Sequence, residues 1–452
     1  MKHLPFLVLL IMISACQAKK DTVAEAGESA STETISDDSL FTLVQHKTFQ
    51  YFWDGAEPVS GGGRERFHAD NVYPQNDKHI ITSGGTGFGV MAILVGIERN
   101  FITRKEGFER LQQFVSWLEK ADNFHGVWPH WWNGETGKVK PFSSRDDGGD
   151  LVETSYLAQG LLCVREYFKN GSAEEKALAS RIDKLWRGIE FDWHTNGKDV
   201  LYWHWSPNHA WAMNFPVEGY NECLIMYVLA AGSPTHTVSA DVYHKGWARN
   251  GGMKNDPAHE QYGYHLALKH NGAQQYGGPL FWSQYSFLGL DPRGLKDRYA
   301  DYWEHNRNHT LINRQYCIEN PKGYKGYGED AWGLTASYSI KGYAAHSPNE
   351  DLGVITPTAA LSSFPYTPDE SMQAMRYFYH KLGDKLFGEY GFYDAYSEHH
   401  DWFIPRYLAI DQGPIVVMME NHRSGLLWNL FMGCPEVQAG LKKLGFESPH
   451  LK

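Results

Sequence analysis

The chain has 452 residues, a formal net charge of −11 and an aromatic complement of 16 Trp, 26 Tyr and 23 Phe. Its negative balance excludes nucleic acid and anionic lipid surfaces as natural partners and leaves a neutral ligand as the better fit. The five cysteines include no C-x-x-C pair, so neither a zinc site nor a disulfide framework is indicated.

Lys2 and His3 precede an apolar run over 4–13, and Ile13-Ser14-Ala15-Cys16 then places small residues before a cysteine. The run is too short to span a bilayer as a helix. Residues 1–16 read as a lipoprotein signal with lipid attachment at Cys16, which predicts an anchored, extracytoplasmic protein facing the periplasm or the cell surface. A plain secretory signal with an incidental cysteine is the alternative. Residues 17–37 are rich in Ser, Thr, Ala, Glu and Asp and lack aromatics, as a flexible tether would. From 38 to 452 no linker or charge run divides the chain, which predicts one domain.

Within it, the stretches 84–98, 151–168, 219–232, 279–290, 357–363 and 415–432 are apolar nearly all the way round, as helices buried on every side are. Between them, 38–54, 104–121, 174–190, 236–248, 295–308, 369–383 and 435–444 have one charged face and read as an outer layer. The buried stretches start roughly 60 to 80 residues apart, a loose repeat of inner helix, outer helix and loops. That repeat predicts an all-α fold, an (α/α)6 barrel with its long loops gathered at one end. The loops 122–149, 192–218, 249–278 and 384–414 are too long and too rich in Trp, Tyr, His and Gly to be mere connectors, and are expected to wall a cleft. Strand character is confined to small hairpins near 125–142 and 199–206.

Two of these loops bring carboxylates to helix starts. Asp146, Asp147 and Asp150 flank Gly148 and Gly149; Glu218 and Glu222 are four apart and share a face if a helix has begun. Inverting cleavage of a glycosidic bond needs a protonated acid on the leaving oxygen and a carboxylate on the water, ~6.5 to 9.5 Å apart. Glu222 sits in an apolar run beside Cys223, where burial raises a carboxyl pKa, the condition a general acid requires. A buried ion pair is the competing account. Asp150-Leu151-Val152-Glu153 equally matches a capping box, with Asp150 accepting backbone N–H groups and Glu153 reaching back. The Asp146–Asp150 spacing lacks the remaining ligands of a calcium loop, and the His-rich pieces with His204, His209, His399, His400 and His422 form no i, i+4 metal pair, so neither metal nor cofactor is expected. Trp128, Trp131, Trp132, Trp203, Trp205 and Trp211 flank the acidic segments, where flat rings suit stacking on pyranose faces. Arg145, with Arg64, Arg66 and Arg406, is a candidate for hydroxyl contacts.

The segments Thr82–Gly89 (TSGGTGFG), Asp150–Ser155 (DLVETS), Tyr327–Ser337 (YGEDAWGLTAS) and Glu420–Trp428 (ENHRSGLLW) resemble the bacterial glucoamylase-like proteins of glycoside hydrolase family 144. The resemblance runs from about residue 40 to the C-terminus. It implies an (α/α)6 barrel and inverting hydrolysis of β-1,2-glucan to sophorose or longer β-1,2-gluco-oligosaccharides. It draws the catalytic residues from Asp146, Asp150 and Glu222, with Glu218 and Glu153 in reserve. We expect Glu222 as the acid and Asp146 or Asp150 to handle the water. Tyr327, Trp332 and Tyr396 join the tryptophans as expected sugar contacts. The rival readings are an exo-acting hydrolase of another glucan and a non-catalytic glycan-binding lipoprotein.

Overall fold

The structure, a computed structural model, describes residues 35–273 and 275–451. The signal, Cys16 and nearly all of the expected tether lie outside the described residues; helix α1 (Asp37–Trp53) already begins at the tether's expected end.

Helix α2 (Ser83–Glu98) explains how the rest is arranged, because its sequence SGGTGFGVMAILVGIE is buried from Ser83 to Ile97. Its glycines let neighbours approach the backbone. A Cβ at Gly87 would lie 2.3 Å from the Tyr156 carbonyl oxygen, and one at Gly160 would lie 2.1 Å from that of Gly87. Helices α2 and α4 (Leu151–Phe168) therefore meet backbone to backbone. Phe49 and Phe52 of α1 sit on Gly96 and Gly89, and Ala409 of α11 (Ala409–Arg423) sits on Gly85. Further contacts run from α4 to α6 (Leu224–Gly232), from α6 to the turn Tyr285–Leu288, from that turn to α11, and from α11 to α8 (Pro357–Leu361).

Helices with one apolar face pack against this set: α3 (Arg104–Leu118) on α2, α5 (Ala173–Arg187) on α4, α9 (Pro368–His380) on α8, and α13 (Pro435–Lys443) on α6. In α5 the buried Leu178, Ile182 and Trp186 recur at helical spacing. Capping boxes, Thr103 with Glu106 and Ser172 with Glu175, start α3 and α5. Helices α7 (Tyr302–Glu319), α10 (Gly383–Leu386) and α12 (Leu426–Met432) complete the α-helices among the described residues. The fold is thus helix-rich, and its strands are short and paired in twos or a three. Asp37–Lys452 forms one compact unit. Cys163, Cys223, Cys317 and Cys434 are free and buried. Among the described residues no helix is long and apolar enough to cross a membrane.

The expected helix over 279–290 is instead two 3-10 turns, Leu280–Ser283 and Tyr285–Leu288. Side chains from neighbouring helices take the backbone groups that a continuous helix would use: Gln159 Nε2 donates to the Tyr285 carbonyl, Trp428 Nε1 to that of Phe287 and Asn421 Nδ2 to that of Leu288. The expected helix over 415–432 breaks at Gly425, whose φ of 71° ends α11 and admits α12. The stretch expected at 236–248 contains a π-helical turn, Val242–Trp247.

The backbone contact at Gly87 and Gly160 yields a stability test. Helix propensity alone favours Ala over Gly by about 1 kcal/mol, but here the new methyl meets backbone, which cannot rotate away. Gly87→Ala and Gly160→Ala are expected to lower the urea unfolding free energy by roughly 1 to 3 kcal/mol, the usual cost of overpacking. An unchanged or raised midpoint would contradict the backbone-to-backbone packing.

Candidate active site

The hairpin Trp131–Asn133 with Val139–Lys140 pairs with Ile80–Thr82, and His204–Trp205 pairs antiparallel with Gly149–Asp150. These short strands bring the starts of α2 and α4 and two aromatic loops together around one cavity of about 340 Å³. Its size suits a small ligand. Three carboxyl groups line it, Glu65, Glu153 and Glu222, together with Arg66 and His130 and the rings of Trp131, Phe142, Tyr156, Trp203, Phe281, Tyr285 and Tyr343.

Asp150 is the N-cap of α4, as the sequence allowed: its Oδ1 accepts the Glu153 N–H at 2.9 Å. Its Oδ2 faces His130 Nδ1 at 2.9 Å. Burial penalises both charges, yet the facing charge of Glu153 and the contact with Asp150 lift His130 to about 10. Burial likewise pushes Asp150 up, but hydrogen bonding to His130 and the charges of His204 and His130 outweigh it, so its pKa is lowered. His204 Nδ1 lies 3.1 Å from Asp146 Oδ2 and 3.9 Å from Asp150 Oδ2. The ligand atoms of Asp146, Asp150 and His204 lie within 4.8 Å of one another, so these are the residues that could hold a metal ion here.

Glu153 departs from the capping box. Its carboxylate does not return to Asp150 but crosses to α2, where Oε2 accepts the Gly84 N–H at 2.9 Å and faces Thr82 Oγ1 at 3.5 Å. A Cβ at position 84 would come within 2.3 Å of that oxygen, so only glycine admits this approach. Burial raises the Glu153 pKa to about 7; the His130 cation opposes this, while Asp150 and Glu65 add to it. Glu222, just before α6, is half-buried and lines the cavity. Burial pushes it up to about 7; a backbone N–H opposes this, the charges of Glu153 and Asp150 add to it, and its Oε2 has no hydrogen-bond partner among the described residues.

Sequence reasoning missed a second acid pair beside the cavity. Asp394 and Asp411 are both buried and each shifts the other's proton affinity. Asp394 Oδ2 also accepts the Tyr338 N–H at 2.7 Å. Burial raises Asp394 to about 6 and Asp411 well above its usual range, as two carboxyls sharing one proton require. Asp411 adjoins Ile410, which lines the cavity, and lies in the apolar start of α11. Like Glu222, Asp411 is a carboxylate in an apolar run, the signal that could have found it.

Several expected contacts are placed elsewhere. Glu218 precedes α6, is more than a third exposed and pairs with Arg249 at 3.0 Å, because the helix begins only at Leu224 and the assumed common face with Glu222 does not form. Arg145 is exposed. Trp128, Trp132, Trp332 and Tyr396 are core residues rather than sugar contacts. In the strand Trp131–Asn133 successive side chains alternate, so Trp131 reaches the cavity while Trp132 turns inward and donates its indole N–H to the Asp122 carbonyl. Tyr327 is committed to Asp351, its hydroxyl donating to Oδ1 at 2.7 Å. Trp203 lines the cavity; Trp205 and Trp211 do not. Arg66 joins the wall, its guanidinium 3.2 Å from Asp77 and over the Trp131 ring.

Residues 214–435 match the family model described as Glycoamylase. The chain is 45% identical over 436 residues to the exo-β-1,2-glucooligosaccharide sophorohydrolase (non-reducing end) of Parabacteroides distasonis, covering 92% of this chain and 59% of that protein. It thus spans about three-fifths of that relative's length. Among solved structures, the endo-β-1,2-glucanase of Chitinophaga pinensis in complex with sophorotriose and glucose superposes with a TM-score of 0.91 at 68% identity, covering 92% of this chain and 100% of that one. The endo-β-1,2-glucanase of Talaromyces funiculosus with sophorose shares the fold alone, with a TM-score of 0.63 at 10% identity over 90% of this chain and 88% of that one.

The raised pKa of His130 makes stability pH-dependent. A histidine whose folded pKa lies above its unfolded value stabilises fully below the unfolded pKa, near 6.5, and loses that contribution as pH rises through the folded value of about 10. Urea midpoints of the wild type are expected to fall between pH 7 and 10 more steeply than those of His130→Gln. Parallel profiles would contradict the assigned charge.

Proposed function

This chain belongs to glycoside hydrolase family 144, and from that membership we propose that it hydrolyses β-1,2-glucan with inversion, Glu222 protonating the glycosidic oxygen and Glu153 activating the water. The observation that carries this reading is the unequal setting of two carboxyls in one aromatic cavity. Glu153 has the Gly84 N–H on its oxygen and an imidazolium beside it, which favour the ionised form. Glu222 has neither a cation nor a partner for Oε2, and enclosure keeps its proton.

In the reaction, water loses a proton to Glu153 as its oxygen bonds the anomeric carbon. The bond from that carbon to the bridging oxygen breaks, and the leaving oxygen takes the Glu222 proton. Asp150 and Asp146, first expected at the water, act as positioning residues instead. Both Asp150 oxygens are engaged, and neither aspartate lines the cavity.

The helices, in this reading, close as an (α/α)6 barrel. The run of contacts from α2 through α4, α6 and the 285–288 turn to α11 and back to α2 supports that closure. The lipobox at Cys16 supports a lipid-anchored, extracytoplasmic location. Identity of 68% over the whole Chitinophaga endo-enzyme supports internal cleavage of the chain. Early products of mixed length are then expected from long β-1,2-glucan, whereas sophorose alone would assign exo action.

Glu222→Gln is expected to lower kcat by ~10² to 10⁴, the usual contribution of a general acid. Because the acid works only when protonated, kcat/KM of the wild type is expected to fall above about pH 7, with the Glu222→Gln variant lacking that limb. Near-normal turnover of Glu222→Gln would refute the assignment. Retained activity in Glu153→Gln with loss in Asp411→Asn would transfer the water to the Asp394–Asp411 pair.

A further inference from the structure

The loop that supplies Trp203 to the cavity builds a second aromatic surface outside it. Successive side chains of a strand point to opposite faces. In the strand His204–Trp205, His204 faces Asp146, while Trp205 packs edge-on against His125 at 5.0 Å and Trp193 at 6.0 Å. The Trp193 ring stacks on His125 with centroids 4.0 Å apart and planes 13° apart, and Trp211 lies tilted 6.4 Å away. Trp193 is 41% exposed, although it could have been buried in a core this rich in rings. Trp205 and Trp211 are half-buried, and neither indole N–H is buried without a partner.

The surface is held in shape and rimmed with polar groups. His125 Nδ1 meets Glu190 Oε2 at 2.9 Å, and His236 Nδ1 meets Asp192 Oδ1 at 3.0 Å beside Trp193. Ser206 and Asn208 both donate to Asp147, which ties the loop to the acidic segment before α4. Phe215, half exposed, stacks on the cavity-lining Trp203 at 5.4 Å, so aromatic surface continues from the cavity mouth onto the loop. Flat apolar faces beside carboxylates and indole donors bind a ligand that is apolar on its ring faces and hydroxylated at its edges. The carboxylates repel an anionic polymer. A neutral glycan meets all of these conditions.

We propose that His125, Trp193, Trp205 and Trp211 form an accessory site that binds a further stretch of the same glucan chain whose scissile bond lies in the cavity. This rests on β-1,2-glucan being the substrate. Holding a distant part of a long chain raises the local concentration of cleavable bonds and does nothing for a substrate too short to reach. The site therefore favours long substrate over short.

The test compares kcat/KM on long β-1,2-glucan with kcat/KM on sophorotriose for the full-length wild type, Trp193→Ala and Trp193→Tyr, with circular dichroism confirming the fold of each. The long-to-short ratio is expected to fall roughly tenfold in Trp193→Ala, through KM for the long glucan, and to recover in Trp193→Tyr, which restores a ring. Equal loss on both substrates, or an unchanged ratio, overturns the accessory site while leaving the activity in place. A wild type that cleaves neither substrate overturns the underlying reading together with the site. Should Trp193→Ala fail to fold, the retardation of catalytically silenced Glu222→Gln in gels containing β-1,2-glucan, persisting in excess sophorotriose, decides the matter. Retardation abolished by added sophorotriose alone would place all binding in the cavity.

Discussion

The carboxylate of Asp150 is the point on which the site depends. One oxygen ends the exposed backbone of α4, and the other holds His130 as a cation within reach of Glu153. Removing it would leave a buried imidazolium and an uncapped helix at once, and breaking a buried pair on one side costs more than the pair contributes when intact. Because α4 is the helix whose backbone touches α2, the cap also fixes where Glu153 meets Gly84. Fold and chemistry share the same few ångströms.

From this follows a division of labour among acids that composition alone cannot express. Six carboxyl groups, those of Glu65, Asp150, Glu153, Glu222, Asp394 and Asp411, influence one another through a poorly solvated interior. They cannot all ionise, so their neighbours decide which keep protons. His130 and the backbone donor of Gly84 favour charge on Glu153; Glu222 has a backbone N–H but no cation beside it. The Asp394–Asp411 pair holds a further proton in reserve beside Tyr285 and Tyr343. The aromatic walls matter doubly, presenting flat faces to sugar and keeping water from levelling these differences.

Much of this was legible in the residues. Near-uniform apolar stretches announced α2, α4 and α6, and Glu222 stood out because an ionisable group in such a stretch requires a reason. The capping motif at Asp150 was readable too, yet the same four residues misled about Glu153, since its partner Gly84 lies 69 positions away. Glu65, His130 and Tyr343 reach the cavity only through pairings between distant segments, which no local pattern encodes. The turns at 280–288 looked helical because Gln159, Asn421 and Trp428, which replace the helical hydrogen bonds, come from other helices. Strand alternation at Trp131 and Trp132 was the signal overlooked: two adjacent rings could not both face the ligand.

The chemistry turns on which of two glutamates gives up its proton first, and that is open to direct observation. Carbon-13 NMR of protein labelled at the glutamate side-chain carboxyls, with Glu153→Gln and Glu222→Gln used to assign the two resonances, reports each group's charge across pH. As pH rises, Glu153 is predicted to release its proton before Glu222. Finding that Glu222 ionises first would contradict it.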